Sequence, residues 1–451
     1  MNRIITSPAP AAVLAVLLVA LHAAAAEPMG LSRCIDYALQ HSRELKTKEI
    51  AEENQKLTTL AKRARFAFKL ESEASDSEGD TSASLTLKKE IVGGVDVSST
   101  YKTTRESGYD EDEVTDTFSV RISKVILGGG SVRESRLDID NSLVDELIRL
   151  NELGKSRREL RHKVTKAYYD VVRNTRTLKV WDLRLERAKK NLEHAIEREN
   201  PLDIATARIQ VPENEASRLS AKRRIESSLD GLKELMGMDV TNKLAVDLDF
   251  EFDTEEINVT NDTVFCFRNH EDLLNSRLER RKLENQARVQ GAKVWPKVSL
   301  WGGAGTTIED AADEGNAADE EKDDDTDYSA GLSLSWEIGS RTTRATHEKL
   351  LNNIRSRAIT TRTLEQQKSK EIRDVGRRLD EALLLVRLQE QKLKINARRV
   401  ELYSDRWKNG EIDILEYIRS QNELENTRIQ LITQRTAYMD LLSQYRFIIG
   451  R

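Results

Sequence analysis

The stretch NGEIDILEYIRSQNELENTR, Asn409 to Arg428, has a counterpart in ENPLDIATARIQVPENEASR, Glu199 to Arg218. An offset of 210 positions lays Asp203 on Asp413, Ile204 on Ile414, Glu213 on Glu423, Glu215 on Glu425 and Arg218 on Arg428 without a gap. A long helical pattern precedes each copy. From Ser131 to about Glu199 there is no proline and one glycine, Gly154. Apolar residues recur there at three- and four-residue spacing through Leu160, Val164, Tyr168, Val171, Val172, Leu178, Trp181, Leu185 and Leu192. Ser340 to Lys408 reads the same way, again with one glycine, Gly376. Each run of 69 residues would extend roughly 100 Å as a helix. Second helices are predicted over Asp203–Leu235 and Asp413–Ile449. Asp203 and Asp413 stand where an N-cap carboxylate would accept from exposed backbone N–H groups. Asn200 and Gly410 suit the positive φ of a sharp turn. The repeated stretch is therefore expected to be the tip of an antiparallel helix pair.

The repetition goes further. At an offset of 228, ALQHSREL (Ala38–Leu45) meets CFRNHEDL (Cys266–Leu273), and Lys69 meets Lys297. This implies an internally duplicated chain. Residues 27–238 would form the first repeat, with a helix, strands about 66–127 and a long hairpin over 131–236. An acidic connector, 239–263, would lead to the second repeat, 264–450. That repeat carries a helix, strands about 294–338 and a hairpin over 340–449.

A third of the 451 residues are charged, only 5% are aromatic, and the net charge is −5. Such a mixture suits long solvated helices and gives no basic surface for nucleic acid. Residues 1–26 differ: Arg3, an apolar run from Ala11 to Leu21, and small residues Ala23–Ala26 before Glu27 read as a secretory signal cleaved between Ala26 and Glu27. No later stretch is apolar enough for a transmembrane helix. An exported chain of this kind is either soluble or meets the membrane through β-strands. Cys34 and Cys266 are the only cysteines, so one disulfide or two buried thiols are both open.

Strand patterns follow period two. Tyr328, Ala330, Leu332, Leu334 and Trp336 alternate with Ser329, Gly331, Ser333 and Ser335, and Phe118, Val120 and Ile122 alternate with Ser119, Arg121 and Ser123. One face is apolar and the other rich in Ser and Gly, as in a membrane barrel. The loop from Thr306 to Asp327 carries eleven carboxylates against Lys322, and Ser107–Asp116 is its acidic partner in the first half. Both read as solvated loops; bridging by calcium or lipopolysaccharide is the alternative. Four main strands are predicted, about 66–75, 117–126, 296–305 and 328–337. A further candidate hairpin, SLTLKKEIVGGVDVSSTY (Ser84–Tyr101), has no assigned place. Open strand edges are costly in lipid, and four strands are too few to close. The chain must therefore oligomerise: three copies would give twelve strands, two would give eight.

These features together resemble the TolC-type outer-membrane efflux family. ALQHSREL stands for its Ala-Leu-x-x-Asn-Pro-Asp-Leu opening and WPKVSL (Trp295–Leu300) for its strand entry. AYYDVV (Ala167–Val172) and GEIDILEYIRSQNEL (Gly410–Leu424) lie in the long helices, and GGGSVRES (Gly128–Ser135) fits its strand-to-helix junction loosely. The resemblance implies a mixed α and β membrane protein: a homotrimer with a twelve-stranded barrel in outer-membrane lipid and an α-barrel of twelve helices crossing the periplasm. It implies an exit duct of a tripartite efflux or type I secretion system, served by an inner-membrane pump and a periplasmic adaptor. The adaptor would dock on the hairpin tips, here Asn200, Pro201, Leu202 and Asp203, and Asn409, Gly410, Glu411 and Ile412. Family members narrow the entrance with acidic side chains inside the second tip. That position falls on Glu416, near Asp413, but Arg419 stands where a second acid is usual, which puts a double acidic ring in doubt. An ordinary Glu416–Arg419 surface pair is the alternative.

No catalytic, cofactor-binding or metal-ligating set is predicted. The six histidines, His22, His41, His162, His194, His270 and His347, lack ligand spacing, and Gly154-Lys155-Ser156 lacks the upstream glycine of a phosphate loop. The competing reading is a soluble periplasmic coiled-coil scaffold or adaptor, which leaves the one-sided strands unexplained.

Overall fold

A computed structural model describes residues 28–77, 80–91, 93–107, 112–128, 131–248, 252, 254–311 and 324–451. The signal segment with Ala26 and Glu27 lies outside them, as do most of the acidic loop around Lys322 and residues 108–111 of its partner. The elements in chain order are α1 (Leu31–His41), α2 (Arg43–Arg63), β1 (Lys69–Ser77), β2 (Asp80–Ile91), β3 (Val95–Ser107) and β4 (Asp112–Leu127). There follow α3 (Ser131–Glu197), α4 (Pro201–Met236), α5 (Val259–Asn269), α6 (Glu271–Ala292), β5 (Lys297–Ala311), β6 (Asp324–Ser335), α7 (Arg341–Lys408) and α8 (Ile414–Ile449). They form two compact units. One gathers the chain up to Lys48 with Gly154–His270 and Gln366–Arg451, the other Glu49–Leu153 with Glu271–Glu365.

The second unit holds one antiparallel sheet in the order β1-β2-β3-β4-β5-β6. Six strands stand where four main ones were expected. The hairpin at Ser84–Tyr101 is longer than its apolar pattern suggested, reaches from Asp80 to Ser107, and lies between β1 and β4. Its Ser, Thr and Lys content concealed its full length, and strand pairing rather than composition fixes its place. Side chains directly opposed across an antiparallel ladder share a face. The row Leu85, Tyr101 and Phe118 therefore belongs with the row Val97, Ile122, Gly302 and Ala330 and with Leu300 and Leu332. Tyr101, Phe118, Ile122, Leu300 and Leu332 are exposed to the surroundings of the single chain. The opposite face reads Thr86, Thr100, Ser119 and Gly305 along one row. There the Trp301 indole covers Gly331, where an added Cβ would lie 2.7 Å from the ring, and the Arg121 guanidinium stacks on Trp301 at 4.5 Å. Helices of this unit meet through small polar groups, with Thr59 to Ser142 at 3.0 Å and Ser276 to Thr361 at 2.7 Å.

The first unit contains the helical core. Cys266, Ile372, Leu379, Tyr438, Leu442 and Ile449 pack together, and the buried Tyr445 hydroxyl donates to Asp262 at 2.8 Å. The connector is stitched in by its backbone: Met29 N donates to the Ala245 carbonyl at 2.8 Å, and Tyr168 Oη donates to the Asp247 carbonyl at 2.8 Å. Leu160, Val164, Tyr168, Val171, Val172 and Leu185 of the predicted stripe are buried. Cys34 and Cys266 are free and fully buried, so the disulfide reading falls; burial pushes the Cys34 thiol up to about 11. No helix among the described residues is long and apolar enough to cross a membrane.

Paired elements keep the offsets read from the sequence. α1 and α5 each have eleven residues and begin 228 positions apart, as do α2 and α6, and β1 and β5. α4 and α8 have 36 residues each and both end on a left-handed glycine. At Gly237 (φ 70°) an added Cβ would sit 2.6 Å from the His41 carbonyl oxygen, which backbone cannot vacate cheaply. Gly237→Ala should therefore destabilise the protein by about 2 kcal/mol or more, seen as a lower thermal unfolding midpoint. Gly231→Ala, within α4 and facing open space, should leave that midpoint unchanged or raise it.

Candidate functional site: the hairpin tips

The two helix pairs turn differently. α3 ends at Glu197, and the positive φ falls on Glu199 (58°), not on Asn200. Pro201 explains the shift, since the residue before a proline is pushed to extended backbone, and Asn200 has φ −85° and ψ 113°. Asn200 is then the N-cap of α4: its side chain accepts from Leu202 N at 3.1 Å, and Pro201, with no N–H to lose, occupies the first turn. Asp203 is thus not the cap but lies one turn in, where its carboxylate still meets the positive helix end.

The second tip follows the glycine rule. Gly410 (φ 77°) donates to the Trp407 carbonyl at 3.0 Å, and Glu411 N donates to the Arg406 carbonyl at 2.9 Å. Asp413 occupies the N-cap position of α8 in extended conformation, but its carboxylate accepts no capping bond.

Trp407 joins the tips. Its buried ring stacks on Tyr417 (5.1 Å between centroids) and packs with Ala195, Ala207, Ile414 and Ile418. Arg198, the first residue after α3, lays its guanidinium over that ring at 4.4 Å. It also donates to the carbonyls of Trp407 (3.1 Å) and Lys408 (3.3 Å). One tip thus caps the C-terminal end of the other's long helix with a cation, the sign that end favours. A polar layer lies further along the helices. Asn191 donates to Gln421 at 2.8 Å. The Glu425 carboxylate, 1% exposed, is held by Arg187 and by Arg428 at 3.1 Å. A buried carboxylate is tolerable only when its partners stay in place.

The tip residues named from the sequence differ in exposure. Leu202 is 74% exposed, and Asn200, Pro201, Asn409, Gly410 and Glu411 are exposed with it, while Asp203 is half-buried and Ile412 packs against the Trp407 cluster. Glu416, Arg419 and Asp413 are exposed on or beside the first turns of α8, and no ion pair joins Glu416 to Arg419. Sequence reading missed Trp407, Arg198 and Arg187. Glu425 and Arg428 were in the repeated stretch, matched to Glu215 and Arg218, but nothing in the alignment marked their burial. Among the described residues no group of three or more His, Cys, Asp or Glu side chains is placed to hold a metal ion.

Residues 267–451 match the family model described as outer membrane efflux protein. Over that part, less than half of the chain, the sequence is similar to the outer membrane efflux protein family. The fold extends the likeness to both repeats. VceC, the outer membrane protein of Vibrio cholerae, superposes with a TM-score of 0.67 at 15% identity over 93% of this chain and 96% of that one. The CmeC outer membrane channel of Campylobacter jejuni gives 0.68 at 15% identity, covering 93% and 85%. The open state of the Neisseria gonorrhoeae MtrE outer membrane channel gives 0.68 at 12%, covering 93% and 88%. No curated protein matches the chain in sequence. At these identities the structures establish a common fold.

The Trp407 contact makes a local prediction. Trp407→Ala removes a buried ring worth about 3–5 kcal/mol and the seat of Arg198. Amide hydrogen exchange at residues 194–207 and 407–418 should accelerate strongly, while the Tyr438–Tyr445 core keeps its protection.

Proposed function

We propose that the chain is a subunit of an outer-membrane exit duct that passively conducts solutes delivered by an inner-membrane pump. The observation that carries this reading is the sheet: one apolar face, one polar face and two unpaired edges, in a chain that also builds helices of 67 and 68 residues. In lipid such a sheet must close on other copies, because every unpaired backbone group there costs several kcal/mol. The efflux-protein match of residues 267–451 and the fold likeness support the same assignment.

A homotrimer fits the helices as well. Leu388, Ile395 and Leu402 stand exposed on α7 at seven-residue spacing, and Leu202 and Ile209 likewise on α4. Such stripes are coiled-coil seams without partners. Three chains would join them into a ring of twelve long helices. The exposed tips, with Leu202 foremost, would receive a periplasmic adaptor, and their different turns give it two distinguishable sites. The signal segment, cleaved after Ala26, would direct the chain to the bacterial outer membrane. No step of this role needs chemistry from the protein.

Glu416 is the proposed selectivity residue of the periplasmic entrance. Its carboxylate is exposed and not neutralised by Arg419, so three copies around a narrow axis would attract cations. Purified protein should form cation-selective pores in planar bilayers, and Glu416→Ala should lower the cation-over-anion permeability ratio several-fold. Pores indifferent to the substitution would remove Glu416 from the entrance. A chain that stays soluble without detergent and forms no pores would overturn the duct.

A further inference from the structure

The β2–β3 hairpin changes what a ring of these chains would be. It is bonded on both sides through continuous ladders, from Lys69–Lys88 to Ser77–Asp80 against β1 and from Val95–Lys124 to Ser107–Asp112 against β4. It follows the two-sided division of the sheet, with Lys89 and Arg105 as the charged exceptions on the apolar face. Leu85, Leu87, Ile91, Val95, Val97 and Tyr101 fall on the apolar face, in register with Phe118, Val120 and Ile122. Ser84, Thr86, Ser98, Thr100 and Lys102 fall on the polar face. Leu85, Leu87, Ile91 and Tyr101 are 41–46% exposed in the single chain. A hairpin used as a soluble cap would need no second apolar face at matching height.

We infer that all six strands of each chain enter the membrane wall, and that β1 of one copy pairs with β6 of the next. Under the trimeric reading proposed above, on which this inference rests, the barrel then has eighteen strands. The occupant of both open edges is a second copy of this chain, because continuation of the same apolar and polar faces is what lipid on one side and water on the other demand. Among the described residues the second half has no matching hairpin. Lys69 to Ser131 spans 62 positions but Lys297 to Arg341 only 44, so the added wall comes from the first half alone.

The consequence is width. With strands about 4.8 Å apart and tilted about 40°, twelve make a barrel of about 12 Å radius and eighteen about 18 Å. The open cross-section roughly doubles, into the range where a barrel holds a water-filled channel rather than being filled by side chains. The outer mouth would pass bulkier hydrated solutes than a twelve-stranded wall admits.

The test places a bimane fluorophore at Leu87→Cys and, separately, at Thr100→Cys in the full-length channel reconstituted into vesicles. Cys34 and Cys266 are buried and stay unlabelled. The number of chains in the purified particle is counted by native mass spectrometry. The inference expects three chains, strong quenching of the Leu87 probe by brominated lipid, and little quenching at Thr100. A water-soluble maleimide should react with Leu87→Cys roughly tenfold more slowly than with Thr100→Cys. Three chains with both positions equally open to the aqueous reagent would put the hairpin outside the wall and overturn the inference while leaving the trimer. Any other chain count would overturn the trimeric reading itself, and eighteen strands with it.

Discussion

The unsatisfied edges of a one-sided sheet govern this molecule. Within the chain every strand from β2 to β5 has two partners, and β1 and β6 have one each. Water could solvate the spare N–H and C=O groups, but it would not favour the exposed row of Tyr101, Phe118, Ile122, Leu300 and Leu332. Lipid would accept that row and penalise the edges. Closure by further copies, as proposed, would satisfy both demands, and so the apolar face and the free edges are one constraint rather than two. The exposed seven-residue stripes of α4 and α7 pose the same problem in helical form.

The tips show how two helix pairs of the same length can differ locally. Both begin as a long helix returning into one of 36 residues. One proline then displaces the positive φ to Glu199, makes Asn200 the cap and leaves a three-residue turn, whereas Gly410 permits a longer turn that exposes Asn409 and Glu411. Arg198 and Trp407 tie the unlike turns together, so the pair behaves as one packed end rather than two independent hairpins. A partner that grips one tip would meet a surface the other cannot copy.

Much of this was legible in the sequence. Periodicity located both long helices to within a few residues, because apolar spacing at three and four is dictated by the helix itself. The alternating faces around Phe118 and Tyr328 were equally plain. The Asp203 cap was misread because carboxylate preference was weighed without the effect of Pro201 on residue 200. The Trp407–Arg198 contact and the buried Glu425 were out of reach, since they depend on which helices lie side by side, and spacing along a chain does not report that.

The hairpin at Ser84–Tyr101 was visible, its place in the sheet was not, and yet a trace of that place was present. The repeat keeps an offset of 228 from α1 through β1, yet the long helices that follow begin 210 apart. Something of about that difference must have been gained by the first half or lost by the second, between the first strand and the long helix. In a sheet, a gain of one strand would reverse the direction of everything after it, so an inserted segment that keeps the downstream topology must add strands in pairs. A hairpin is the smallest such addition. It widens the sheet, leaves β4 running as it did and disturbs no helix, which is why a sheet can grow there while the helical pairs keep their common length.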